Sequence, residues 1–153
     1  MKFARTALFT TLLGCVCVFA SMSSVRADDK TITIQAADNM KYDTTAIEAE
    51  AGQTISITLT NAGKMPKVAM AHNLVILKPG TDAKAFVTAA ARQSTNGYLP
   101  IAEADSILVA TKLLGPGEND TIKFTARDSG TYEFVCTFPA HMALGMRGTI
   151  TVK

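Results

Sequence analysis

Apolar and polar residues alternate with period two in several short stretches of this chain. "TITIQA" (31–36) and "TISITLT" (54–60) place isoleucine or leucine at every second position, the pattern of strands with one face buried. "TIKFTA" (121–126), "GTYEFVC" (130–136) and "GTITVK" (148–153) continue it. "NLVIL" (73–77) is apolar without a break and ends at Pro79-Gly80, while "SILVATKLL" (106–114) stops at the turn cluster "GPGEND". Short strands rich in β-branched and aromatic residues, separated by Gly, Pro and Asp, predict an all-β sandwich or small barrel. One segment departs from the pattern. "TDAKAFVTAAARQS" (81–94) is alanine-rich, carries a cap at Thr81 or Asp82 and contains no breaker, so it predicts a helix inserted between two strands. Without repeats, linkers or low-complexity tracts, residues 28–153 read as one domain.

The first 27 residues follow a different logic. Lys2 and Arg5 precede an apolar run from Ala7 to Ala20, and a V-x-A end follows at Val25–Ala27, the layout of a secretory signal peptide. The run is short for a membrane span of ~20 residues. "LLGC" at Leu12–Cys15 also resembles a lipobox, which would anchor the protein through a lipid on Cys15, but the apolar run continues past that cysteine and favours cleavage after Ala27. Cleavage changes the picture in two ways. It removes Lys2, Arg5 and Arg26 but no acidic residue, turning a formal charge of +2 into −1, so no basic surface remains to argue for nucleic acid or an anionic membrane. It also removes Cys15 and Cys17, so Cys136 has no internal partner and must be buried, reactive or bound to something.

The two histidines, His72 and His141, complete a pattern with Cys136. Cys136 ends an apolar strand where "TFPA" forces a turn, and His141 follows five residues on; His72 opens a separate strand. Met146 lies five residues beyond His141. Two imidazoles, a thiolate and a weak thioether are the donor set of a copper electron-transfer site. Of the two nearby methionines, Met146 is the expected axial ligand. Met142 directly follows a ligand, and neighbouring side chains do not easily turn inward together, whereas Gly145 lets the backbone turn before Met146.

These segments resemble the cupredoxins, and among them the azurins. "CTFPAH" (136–141) is similar to the azurin ligand loop, with Ala140 where azurins usually have glycine, and "MPKVAMAHNLVIL" (65–77) is similar to the segment carrying the first histidine. "ATKLLGPGENDTIKFTA" (110–126) and "AADNMKYDTTAIEAEAGQTISITL" (36–59) match other azurin strands, in the right order. The resemblance implies a Greek-key β-sandwich in which the inserted helix is a flap, one type 1 copper and His72, Cys136 and His141 as equatorial ligands. It implies a weak contact from the Ala71 carbonyl and places Asn73 as the residue that ties its strand to the ligand loop. It also implies an apolar patch around His141 for transient redox partners such as a cytochrome or a terminal oxidase or reductase, formed by Met40, Met65, Ala69, Met70, Phe138, Ala140, Met142 and Ala143, with Leu144 nearby. Phe138 and Leu144 read equally well as core. The expected protein is a periplasmic monomer with no membrane span after processing.

The chain departs from the azurins in several places. Four residues ("MALG") rather than three separate His141 from Met146, the azurin disulfide is missing, Leu74 replaces the buried tryptophan, and Asn61 and Ala110 stand where azurins have non-ligand histidines. Three other functions compete: an enzyme with Cys136 as nucleophile, a copper carrier or storage protein using the same ligands, and a zinc site. Alkylation separates the first from copper, since a copper thiolate is expected to resist iodoacetamide until the metal is stripped.

Overall fold

The structure, a computed structural model, describes residues 28–153; the expected signal peptide and the lipobox-like Cys15 lie outside them. Nine strands form two sheets: β1 (Lys30–Ala37), β2 (Lys41–Tyr42), β3 (Ala46–Ala49), β4 (Thr54–Asn61), β5 (Val75–Leu77), β6 (Ile107–Ala110), β7 (Asn119–Thr125), β8 (Gly130–Val135) and β9 (Arg147–Val152). One sheet has the order β2-β1-β4-β7 and the other β3-β9-β8-β5-β6. Both are mixed, because β1 runs parallel to β4 and β3 parallel to β9.

The period-two pattern sets which side chains meet between the sheets. Along β4, Ile55, Ile57, Leu59 and Asn61 point inward with no exposure, while Thr54 and Thr58 pair outside with Thr125 and Thr121. Ile34, Ile122 and Phe124 from the first sheet meet Ile47, Leu74, Ile76, Tyr132, Phe134 and Ile150 from the second in one continuous core. β5 has no alternation because both of its faces are covered. Ile76 faces this core, and Val75 and Leu77 face a second cluster under the α-helix α1 (Ala83–Ala90).

The helix is capped by Asp82, whose side chain accepts from the amides of Lys84 and Ala85. It is shorter than the expected 81–94, because its buried residues are Ala83, Phe86 and Ala90 and residues 91–94 directly after them bury no apolar side chain. The expected strand over 106–114 also shortens, to four residues. Its partner β5 has only three, their register shifts between Ile76 and Leu77, and the chain then leaves the ladder. β2 and β3 are strands that the pattern did not predict, being too short to show a period.

Two close approaches shape the end of the sandwich where β9 begins. A Cβ on Gly148 would run into the Phe134 ring and the Thr45 carbonyl, so only glycine fits there. Ala140, in contrast, adopts φ 70°. That left-handed conformation costs a non-glycine residue about 1–2 kcal/mol, and Ala140 is exposed, so its methyl recovers little by packing. Ala140→Gly is therefore expected to stabilise the metal-free domain by about 0.5–1 kcal/mol after the entropy glycine adds to the unfolded chain. Denaturant midpoints of the two proteins measure it, and a lower midpoint for the glycine variant refutes it.

Candidate metal centre

His72 sits just ahead of β5 and is held by the backbone. Its amide donates to the Leu114 carbonyl at 3.0 Å, and the Leu114 amide donates back at 2.7 Å. Cys136 directly follows β8. His141 lies on the loop between β8 and β9, and that loop is laced to both ends of the site. The Cys136 amide donates to the Met146 carbonyl at 3.1 Å, the Met146 amide to the His141 carbonyl at 2.9 Å, and the His141 amide to the Phe138 carbonyl at 3.1 Å. A 69-residue separation in sequence is closed to 3.2 Å between Nδ1 of His72 and Nδ1 of His141. Sγ of Cys136 lies 3.5 Å from the same His141 nitrogen. All three ligand atoms fall within 4.8 Å of one another, and all three residues are buried.

Asn73 joins the pieces. Its side-chain amide donates to Thr137 Oγ1 at 2.7 Å and its carbonyl oxygen accepts from the Thr137 amide at 2.9 Å, binding the His72 strand to the ligand loop. Its backbone carbonyl accepts the Tyr42 hydroxyl at 2.5 Å. Thr137 and Tyr42 were not identified from sequence; nothing in the linear chain connects positions 42, 73 and 137.

Burial controls the protonation of the site. It pushes the Cys136 thiol up to about 12, against a smaller opposing pull from the backbone amides of Asn73 and Phe138 at the sulfur. Burial lowers His141 to about 4, with a further push from His72. His72 is also lowered by burial, which the Asp38 carboxylate and Ala37 carbonyl offset in part. Its Nε2 is buried without a partner at hydrogen-bond distance. The metal-free thiol is therefore protonated and fully covered, so stripping metal does not by itself make it reactive. Alkylation of metal-free and copper-loaded protein measures this, and burial should make even the metal-free thiol react more slowly than a free cysteine.

The two methionines part company. Met146 has no exposure and shares the main core with Cys136. Met142 is largely buried, and its remaining edge lines a pocket shared with the expected patch residues Phe138, Ala140 and Ala143. It packs against Val75, Leu77, Phe86 and Val135 under α1, because consecutive residues of the loop face opposite sides of the second sheet. Of the other expected patch residues, Met65, Ala69, Ala140 and Ala143 are exposed, while Met40, Met70 and Phe138 are half-buried. Leu144 is exposed rather than core. Val68, at 88% the most exposed large hydrophobe among the described residues, extends the same segment and was missed. His141 itself is almost covered, at 2%. Ala71 is buried and is not among the left-handed residues, so alanine fits its backbone without strain.

A thiol and two imidazoles, buried and converging with no other ionisable side chain in the group, fit a mononuclear copper ion. A two-sheet sandwich holding that set at one end defines the class of the blue copper cupredoxins. The sequence model for copper binding proteins of the plastocyanin/azurin family matches residues 29–153, and the chain belongs to that family. It is 34% identical over 127 residues to an azurin of Pseudomonas fluorescens biotype C, covering 80% of this chain and 97% of that one. Among solved structures it is similar to a dithionite-reduced auracyanin from Roseiflexus castenholzii (TM-score 0.73, 40% identity, 83% of this chain and 99% of that one). It is also similar to an azurin from Methylomonas sp. strain J (TM-score 0.71, 26% identity, 81% and 98%). Copper is accordingly the cofactor.

Without metal, the depressed histidines make the domain acid-sensitive. Between about pH 4 and the ordinary histidine value near 6.5, the unfolded chain binds a proton at His141 that the folded one does not. Stability is thus complete above about pH 6.5 and falls as pH drops toward 4, by roughly 3 kcal/mol at most from this residue. Denaturant titrations of metal-free protein at pH 7 and 4.5 test this, and copper should abolish most of the difference.

Proposed function

We propose that the protein is a periplasmic electron carrier in which His72, Cys136 and His141 hold one copper, Met146 is its weak axial ligand and the Ala71 carbonyl gives a further weak contact. The metal supplies the one-electron Cu(I)/Cu(II) couple. The chain holds the donors still, excludes water from them and keeps His141 just beneath the exposed Ala140 and Ala143. The observation that carries this reading is rigidity. The donors come from a strand end, a backbone bridge and a loop laced through Met146, all buried. A copper carrier or storage protein needs soft ligands in a mobile, accessible segment. An intense visible band from thiolate-to-copper charge transfer supports the electron-carrier reading. A colourless copper complex that readily passes its metal to a chelator supports the carrier instead.

The exposed Met65, Ala69, Ala140 and Ala143 form the proposed contact surface for a transient redox partner, a cytochrome or a terminal oxidase or reductase, met by a monomer. Among the described residues no helix is long and apolar enough to cross a membrane. Export with cleavage after Ala27 places the domain in the periplasm, and intact mass of native protein checks it: a lipid-modified mass beginning at Cys15 supports the anchored form.

The reduction potential should be nearly flat between about pH 6 and 8. Asn61, where azurins have a histidine, donates to the Leu114 carbonyl beside His72 at 3.0 Å and accepts from the Gly63 amide at 2.8 Å. Neither bond changes with pH. Voltammetry across that range showing a steep step would contradict it.

A further inference from the structure

Tyr98 stands in a backbone conformation that tyrosine rarely adopts. It follows Gly97 in a turn where both residues are left-handed, at φ 61° and 60°. Glycine takes that region freely, but a bulky side chain does so only when its surroundings hold it there. The turn is anchored on both sides. The Tyr98 amide donates to the Gln93 carbonyl at 2.9 Å, and the Asn96 side chain to the Leu99 carbonyl at 2.7 Å. Leu99 packs on the cluster beneath α1, and the Asn73 side chain reaches the Gly97 carbonyl at 3.5 Å.

The conformation aims the ring at the metal centre. Tyr98 meets Phe138 nearly edge-on, with centroids 5.1 Å apart and planes at 66°. Phe138 in turn lies 4.8 Å from the His141 ring, and His141 lies 4.9 Å from His72. His141 is the one equatorial ligand carried by a loop. His72 is held by its bridge to Leu114, and Cys136 by the end of β8. The ring of His141 needs a stop on its outer side, and Phe138, itself only half-buried, needs a backing to provide one. A ligand that keeps its orientation in both oxidation states lowers the rearrangement that electron transfer requires.

We propose that Tyr98 is a positioning residue for His141, acting through Phe138 to hold the imidazole in one orientation in both oxidation states. This rests on His141 holding copper as proposed above. It is tested with wild-type, Tyr98→Phe and Tyr98→Leu proteins. Visible spectra come first: a wild type without the intense band overturns the copper reading and the proposal with it. With the band present, relaxation dispersion on the His141 ring carbons of the Cu(I) proteins reports ring motion directly, and self-exchange between Cu(I) and Cu(II) protein reports rate. Tyr98→Phe keeps the ring edge and should match wild type in both. Tyr98→Leu should broaden the His141 ring signals on the μs–ms timescale and slow self-exchange by about tenfold, the scale of loss expected when a reacting group is held less well. Unbroadened ring signals in Tyr98→Leu overturn the proposal. They do so even if self-exchange slows, since Tyr98 would then act only at the contact surface.

Discussion

Cys136→Ser should erase the visible band entirely while the metal-free domain still folds, with a stability loss of about 1 kcal/mol or less. The thiolate is the one sulfur donor that can give an intense charge-transfer band, so a variant that stayed strongly coloured would refute the copper assignment. Folding survives for a reason visible in the structure. The sulfur is fully buried, and the Asn73 and Phe138 amides point at it. A serine oxygen is a better acceptor for those amides than sulfur, so no buried donor is orphaned. Cys136→Ala should be the more damaging change, because both amides lose their acceptor, at about 1–3 kcal/mol for each group left unsatisfied. The core between the sheets exists without metal, unlike that of a small domain folded only by its ion. Thermal melts of the two metal-free variants, beside their copper-loaded spectra, separate loss of the site from loss of the fold.

Met146→Leu should keep the blue band and raise the potential by roughly 60 mV or more, a tenfold shift toward Cu(I) in a one-electron couple. A thioether in the proposed axial position is a weak ligand, so removing it should alter the balance of oxidation states more than the affinity. An apolar group in its place favours the lower charge. The exchange conserves volume in a position with no exposure, so the fold should lose less than about 1.5 kcal/mol. Met142→Leu is the control. Met142 lies in the cluster under α1, on the other side of the second sheet from Cys136 and Met146. Its replacement should leave the potential within experimental error and, since its edge lines the pocket shared with Phe138, Ala140 and Ala143, should at most alter the rate of partner exchange. A potential that moved in Met142→Leu but not in Met146→Leu would mean that the wrong methionine has been assigned.

Much of this molecule could be read from its residues. A strand with one buried face must alternate, and apart from Asn61 the inward residues of β4 and β7 are the isoleucines, leucine and phenylalanine that the pattern marks. The donor set was legible because only two histidines exist and because copper chemistry demands a thiolate, which Cys136 offers at a strand end five residues before His141. Cys136, His141 and Met146 are close in sequence, so a short loop had to bring them near one another. What the sequence left open lies at longer range. Which side of a sheet a loop residue faces depends on what covers that side, so Met142 became core only when α1 was laid over Val75 and Val135. The helix ended where its apolar anchors did, and β2 and β3 formed because neighbouring strands offered them partners. The joining of His72 to the ligand loop through Asn73 and Thr137, and the backing of His141 by Phe138 and Tyr98, exist only after folding. Periodicity and residue chemistry act locally along the chain; burial, hydrogen-bond partners and the protonation of Cys136 and His141 depend on groups that only the tertiary fold brings together.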